Sequence, residues 1–144
     1  MIYVRPFKKE DFLAFEPIEP MAKAEIKDMG LAQAIEDSEL AVTGVRDGAV
    51  VMCGGVHPIE NSTHGELWLR LSEDCLEHKL DTIRLIRDGL KIIEETYPFE
   101  LLNAVVRCCF EKSVKLVEYL GFKKTQEVTH EDEKWFIYSK RIVE

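Results

Sequence analysis

The sequence predicts an α/β protein of the α+β kind: a mixed central sheet of about seven strands with helices on both faces. Three observations predict it. Strand-like segments Leu40–Val45 and Val50–His57 flank Arg46-Asp47-Gly48-Ala49, and Asp-Gly accepts the positive φ angles of a tight antiparallel hairpin. Leu67–Leu71 runs through the polar turn Ser72-Glu73-Asp74 into a long amphipathic segment ending at Tyr97-Pro98, and Leu101–Arg107 follows as another strand. That is a β-α-β crossover, and a crossover beside a hairpin requires both parallel and antiparallel pairing. Finally, Lys123–Thr129 and Trp135–Arg141 form a closing hairpin around His130-Glu131-Asp132-Glu133.

Taken in order, Ile2–Arg5 is a short strand stopped by Pro6, which has no N–H to give a ladder. Lys9-Glu10-Asp11 opens a helix carrying Phe12, Leu13 and Phe15, its acidic first turn matched to the helix dipole. Pro17 and Pro20 break it. Met21–Met29 reads as helix with Gly30 as its stop, and Leu31–Ile35 as a further turn or two ending at Glu36-Asp37-Ser38. Gly54-Gly55 inside the third strand predicts a bulge or the close approach of another backbone. Pro58–Gly65 is a polar loop. In the fourth strand Glu66, Trp68 and Arg70 share one face, and Leu67, Leu69 and Leu71 the other.

Leu76, Leu80, Ile83, Ile86, Leu90, Ile93 and Tyr97 then recur at steps of three or four, predicting one helix of about five turns that buries a stripe. Pro98 ends it. Leu101–Arg107, mostly apolar on both faces, is a central strand. Glu111–Leu120 is a helix terminated by Gly121, with Phe122 packing back. No repeat, linker or low-complexity tract interrupts the chain, so residues 1–144 are expected to form a single domain.

Composition excludes several classes of function. With 46% hydrophobic and 32% charged residues the chain has an ordinary globular make-up. Its 19 basic and 27 acidic residues give a net charge of −8, which repels a phosphate backbone. The densest basic cluster is Lys123-Lys124, so no nucleic-acid partner is expected. No apolar run approaches the ~18 residues of a membrane span. Met1–Arg5 lacks the basic start and apolar core of a signal peptide, so the expected location is cytoplasmic. Cys53, Cys75, Cys108 and Cys109 show no C-x-x-C spacing, and the adjacent pair would point to opposite faces of a strand. No metal is expected, and the thiols read as buried and reduced.

The element order, the long strand-to-helix junction and the late strand–helix–Gly121-Phe122 together resemble the GNAT acyltransferase fold over nearly the whole chain. Ile2-Tyr3-Val4-Arg5-Pro6-Phe7 with Asp11-Phe12 is similar to that family's usual start, and Ser113–Phe122 to its last helix. More narrowly, Arg5-Pro6 with Asp11-Phe12, Arg84 with Arg87-Asp88, Glu95-Thr96-Tyr97, the Gly121 segment and Trp135-Phe136 resemble the short GNAT-like proteins of tailed phages, including a small internal virion protein. That narrower resemblance implies a protein partner, from the virion or the host, in the host cytoplasm or the virion itself.

The family resemblance implies an acetyl-CoA cofactor. Its pyrophosphate would lie on backbone N–H groups of a loop written Gln/Arg-x-x-Gly-x-Gly/Ala, and its pantetheine along the fourth strand. Carried onto this chain, the cofactor-binding residues are Leu69, Arg70, Leu71 and Cys75. With Arg70 in the loop's first position, Glu73 and Cys75 stand where the family has small residues, and Asp74 lies between them. Glycine there lets a backbone approach phosphate closely. A carboxylate about 5 Å from a phosphate charge, at an effective dielectric of ~20, costs roughly 3 kcal/mol before screening. A micromolar ligand binds with about 8 kcal/mol in all.

The candidate catalytic base is Glu66, near the start of the fourth strand, where the family often keeps one. The bland alternative is a solvent-facing strand residue paired with Arg70. Counting back from Gly121, the family's helix Asn and Tyr fall on Phe110 and Val117. Val117 has no proton to donate, and Tyr119 lies about 200° around the helix from that position. Trp68 either lines a pocket or packs on the sheet. His57 sits at a strand end, and His64, His78 and His130 lie in loops or on a polar helix face. Cys108 and Cys109 have no His–acid companion in sequence.

Two functions follow as expectations. One is a GNAT-fold, phage-type module with a degenerate acyl-CoA loop, non-catalytic and engaged with a virion or host protein. The other is an acyl-CoA-dependent N-acetyltransferase with an atypical pyrophosphate loop. The missing glycines, the acidic turn and Val117 place the first ahead.

Overall fold

The computed structural model describes residues 1–18, 29–108 and 111–142. Its seven strands form one mixed sheet in the order β1-β2-β3-β4-β5-β7-β6. Within the chain two compact units are distinguished: Met1–Val56 with Trp68–Tyr97, and His57–Leu67 with Pro98–Glu144.

In the first unit β1 (Ile2–Pro6) pairs antiparallel with β2 (Ala41–Arg46), and β2 pairs antiparallel with β3 (Ala49–Pro58). Asp47 and Gly48 turn the hairpin with φ of 51° and 86°, as the Asp-Gly signal predicts. The bulge lies elsewhere than expected. Gly44 faces Met52 and Val45 faces Val50, which leaves Val51 as the extra residue. Gly54 and Gly55 instead fulfil the close-approach reading. A Cβ on Gly55 would lie 2.9 Å from Ala41 Cα and closer still to the Leu40 carbonyl, and one on Gly54 would lie 3.1 Å from the Trp68 carbonyl.

Helices cover both faces of this unit. Residues Lys9–Leu13 form a short 3-10 helix rather than an α-helix, and Leu13 points out to solvent. Helix α1 (Met29–Ser38) contains Gly30 within it, so Gly30 is not a stop; the expected helix over residues 21–28 lies outside the described residues. Phe7, Phe12, Ala32, Ile35, Ala41, Cys53 and Trp68 pack as one buried cluster. In it Trp68 meets Phe7 and Phe12 edge-to-face, with ring centroids 6.2 and 5.9 Å away. Trp68 is thus a packing residue. Asp11, 5% exposed, ties β1, the 3-10 turn and β2 together. Its carboxylate accepts from Arg5 Nη1 and Nη2 at 2.9 and 2.8 Å, Lys8 N–H at 2.9 Å and Thr43 Oγ1 at 2.6 Å. That network is the physical content of the Arg5…Asp11 pattern at the start of the sequence.

The long helix expected from Leu76 to Tyr97 is two helices, α2 (Glu73–Glu77) and α3 (Lys79–Thr96), broken at His78 with φ −126° and ψ 63°. Thr82 makes the break tolerable. Its backbone N–H donates to the His78 carbonyl at 3.0 Å, and its hydroxyl, shared with that carbonyl at 2.9 Å, reaches the Cys75 carbonyl at 3.0 Å, a group that the end of α2 would otherwise orphan. Leu80, at helical spacing from Leu76, is consequently 72% exposed. The buried face of α3 is Thr82, Leu85, Ile86, Gly89, Leu90 and Ile93, laid against β1 and β2. Gly89 sits directly over Val42, where a Cβ would come within 2.7 Å of Cγ2.

In the second unit, β4 (His64–Leu71) pairs in parallel with β5 (Leu101–Arg107) from His64↔Leu101 to Leu67↔Ala104, where the ladder stops. β5 pairs antiparallel with β7 (Glu133–Arg141), and β7 with β6 (Lys123–His130). Helix α4 (Glu111–Tyr119) packs against β5 and buries Val117. It closes as the Gly121 signal predicts: Gly121, at φ 95°, donates to the Glu118 carbonyl at 3.1 Å, and Phe122 donates to Val117 at 3.0 Å. These two bonds are a Schellman closure, with Phe122 buried behind it.

Candidate functional site

The turn from β4 into α2 is built by the first unit alone. The bulge at Val51 frees its carbonyl from the β2 ladder, and that oxygen accepts from Ser72 N–H at 3.0 Å and from Cys75 Sγ at 3.3 Å. Ile18 N–H donates to the Leu71 carbonyl at 2.9 Å, and Cys75 N–H to the Ser72 carbonyl at 3.1 Å. The first-turn N–H groups of Glu73 and Asp74 have no acceptor among the described residues, as a helix start leaves them.

The acidic turn is less repulsive than its sequence suggests. Arg46 grips Asp74 with both arms of its guanidinium, Nε to Oδ2 at 2.8 Å and Nη2 to Oδ1 at 2.6 Å. Those bonds hold the Asp74 carboxyl below its ordinary range. Of the two carboxylates expected to oppose a phosphate, one is therefore neutralised and only Glu73 remains exposed. Asp74, Glu77 and His78 also place ligand atoms within 4.8 Å of one another. Asp74 is committed to Arg46, and its Oδ1 lies 3.5 Å from His78 Nδ1.

The residues singled out for cofactor binding line up along this junction. Leu69, Arg70 and Leu71 are half-buried at the end of β4, and Cys75 is buried in α2. Arg70 Nη1 donates to the Leu69 carbonyl at 2.7 Å, while its guanidinium carbon lies 5.7 Å from the Trp68 ring centre. Burial pushes the Cys75 thiol up and pushes that of Cys53 up further. Both are packing groups, not nucleophiles.

Glu66 lies in the second unit, exposed on β4. Its register partner on β5 is Asn103, and Asn103 in turn faces Ser139 on β7. Ser139 Oγ donates to Asn103 Oδ1 at 2.6 Å, and Thr125 Oγ1 lies 3.4 Å from Ser139 Oγ. Val117, at the position the resemblance gives to a proton-donating Tyr, is core, and Tyr119 points elsewhere with 56% exposure. The position matched to the family's Asn, Phe110, lies outside the described residues, as does Cys109. His57 is exposed at the end of β3, His64 is half-buried, and Cys108 is half-buried with its N–H on the Lys134 carbonyl at 3.1 Å.

Sequence reading did not find Arg46, Val51, Asn103 or Ser139. Arg46 sits inside the hairpin signal but meets an acid 28 residues away, and no local pattern marks such a pair. Asn103 and Ser139 become neighbours only because β7 lies between β5 and β6.

No protein-family model matches the sequence, and no curated protein matches it. Solved structures do match its fold. Ard1 from Thermoplasma volcanium superposes with a TM-score of 0.78 at 13% identity, over 99% of each chain. YncA from Salmonella typhimurium, solved with its cofactor acetyl-CoA, gives 0.76 at 11% identity over 100% of this chain and 95% of its own. The ribosomal-protein-alanine N-acetyltransferase of Brucella melitensis gives 0.74 at 14% identity over 97% of this chain and 99% of its own. These structures come from cellular organisms and lend no support to the narrower likeness to phage proteins. At such identities the likeness speaks for architecture: the chain has the fold of the GNAT acetyltransferases.

Proposed function

We propose that this protein is an acyl-CoA-dependent N-acetyltransferase with an atypical pyrophosphate loop. The observation that carries the reading is the β4–α2 junction, where Arg46 cancels the Asp74 charge beside two unpaired N–H groups, those of Glu73 and Asp74. Backbone N–H groups at a helix start are donors of the kind a pyrophosphate accepts from, and these two have no acceptor among the described residues. Leu69, Arg70, Leu71 and Cys75 are the residues around which the cofactor would lie.

When bound, acetyl-CoA supplies an activated acyl thioester. Glu66 accepts the proton that the acceptor nitrogen sheds as it becomes an amide. The absence of a Tyr at Val117 is a small loss. A thiol of ordinary pKa ~8.5 is about 2 kcal/mol from its thiolate at pH 7, so the leaving group can depart without a dedicated acid.

The test is a calorimetric titration of the full chain with acetyl-CoA, followed by thiol-release assays with amine acceptors. Binding in the micromolar range is expected, with Glu66→Gln retaining that binding and losing at least about 100-fold in kcat. No heat of binding at millimolar acetyl-CoA would overturn the proposal. It would favour the non-catalytic module, whether of virion or host association, to which the missing glycines and Val117 also point.

A further inference from the structure

Asp74, Glu77 and His78 stand at positions i, i+3 and i+4 across the end of α2, a spacing that brings side chains to one side of a helix. One ligand atom from each lies within 4.8 Å of the other two. Within the group, Asp74 Oδ1 and His78 Nδ1 are 3.5 Å apart. Two ligands of a tetrahedral ion with bonds of about 2.1 Å are separated by roughly 3.4 Å, so this pair already spans one edge of such a site. Octahedral Mg²⁺ at the same bond length would need about 3.0 Å. The surroundings of Nδ1 also favour a cation. Its near neighbours are both oxygens, the Asp74 carbonyl at 3.1 Å and Oδ1, and each can only accept. The ring proton held toward them occupies the place a metal would take. Moving it leaves no orphan, because the Asp74 carbonyl also accepts the His78 backbone N–H at 3.1 Å. Arg46 does not close the site: it takes one lone pair from each Asp74 oxygen, and a carboxylate has about four. Glu77 is exposed and has no ion pair among the described residues, so its charge is unanswered. An open cleft of about 360 Å³ along residues 76–81 leaves room for water beside the group.

We infer that Asp74, Glu77 and His78 form a binding site for a divalent transition-metal ion of the Zn²⁺ class. One imidazole and two carboxylates make a mixed nitrogen and oxygen set. The imidazole selects Zn²⁺ and its transition-metal neighbours over Mg²⁺ and Ca²⁺, which prefer oxygen alone. The bonds come from His78 Nδ1, Asp74 Oδ1 and one Glu77 oxygen, and the ring proton moves to Nε2. Three protein ligands leave a fourth position to water, which is the open kind of site. His78 caps both the end of α2 and the start of α3, so the ion ties the two helices at their break. The cysteines, whose spacing argues against a thiolate site, take no part. The site does not depend on the acetyltransferase reading.

In the experiment the full chain, treated with EDTA and dialysed, is titrated with Zn²⁺ in a calorimeter, and the imidazole nitrogens are followed by nitrogen-15 spectra. One ion per chain is expected to bind at micromolar concentrations, and the His78 Nδ1 signal is expected to move with it. Loss of one ligand of the three should weaken binding by at least about tenfold, both in His78→Ala and in Glu77→Gln. Glu77 is exposed, so the second variant keeps the test readable if the first disturbs the helix break. Arg46→Ala withdraws a cation from beside Asp74 and should tighten binding a few-fold. Excess Mg²⁺ should leave the Zn²⁺ in place. A site that survives both ligand substitutions, displacement of Zn²⁺ by equimolar Mg²⁺, or no binding at millimolar Zn²⁺ overturns the inference. Heat of binding with an unmoved His78 signal overturns it as well, since other groups would then hold the ion.

Discussion

Replacing Asp11 by Ala removes the acceptor at the centre of a buried network and leaves its donors in place. Asp11 is 5% exposed and takes four hydrogen bonds, two of them from Arg5. Deleting one partner of a buried ion pair costs about 3–5 kcal/mol, because the surviving charge is stranded. Here the Arg5 side chain is 29% exposed and recovers part of its hydration, which sets the expectation near the lower end, about 3 kcal/mol. Thr43 does not recover, being fully buried. Urea unfolding at pH 7 measures the loss directly, and it corresponds to roughly 10 °C in Tm for a chain of this size.

The same carboxylate predicts the acid limb of stability. Burial alone would push the Asp11 acid up, but the bonds from Arg5, Thr43 and Lys8 outweigh it and hold the acid below its ordinary range. A group whose folded pKa is depressed stabilises above its unfolded value, about 3.9, and loses that contribution as pH falls through the folded value. Wild type should therefore lose stability below about pH 4 more steeply than Asp11→Asn, which has no such proton to take up. A loss under about 1 kcal/mol at pH 7 for Asp11→Ala would refute the reasoning, since it would mean the network only breaks even against its desolvation.

Three further outcomes follow from the structure. Gly55→Ala forces a methyl onto the Leu40 carbonyl, which is fixed by the Val56 N–H at 3.0 Å, so thermal unfolding should show a loss of about 2 kcal/mol, within the range for overpacking. Cys53 and Cys75 should resist a disulfide reagent in native protein while the half-buried Cys108 reacts, as peptide mapping would show; prompt labelling of Cys53 would contradict its burial. Arg46→Ala frees the Asp74 carboxylate at the junction and should weaken acetyl-CoA binding a few-fold, whereas Asp74→Asn should not, a contrast that titration at low salt resolves best.

Much of the architecture was legible because local chemistry dictated it. Asp47-Gly48 admitted only a tight turn, Gly121 only a helix stop, and Pro98 only the end of α3. The break at His78 was hidden because Leu76 and Leu80 keep helical spacing across it, while Thr82, which satisfies the broken turn, carries no signal a sequence displays. The charge of the junction was misjudged for a similar reason. Glu73 and Asp74 are adjacent in sequence, but the cation that answers Asp74 arrives from the hairpin. The bulge was expected at the glycines and occurred at Val51, since Gly54 and Gly55 serve close packing instead.

The placement of β7 has a kinetic consequence. It is the last described strand to leave the ribosome, yet it lies between β5 and β6 and pairs with both. Until it emerges, β5 has an open edge and β6, exposed along its whole length, has nothing to pair with. The second unit therefore cannot ripen strand by strand during synthesis. It must wait for its final segment, and the nascent chain should present an adhesive edge to other chains and to chaperones until that moment.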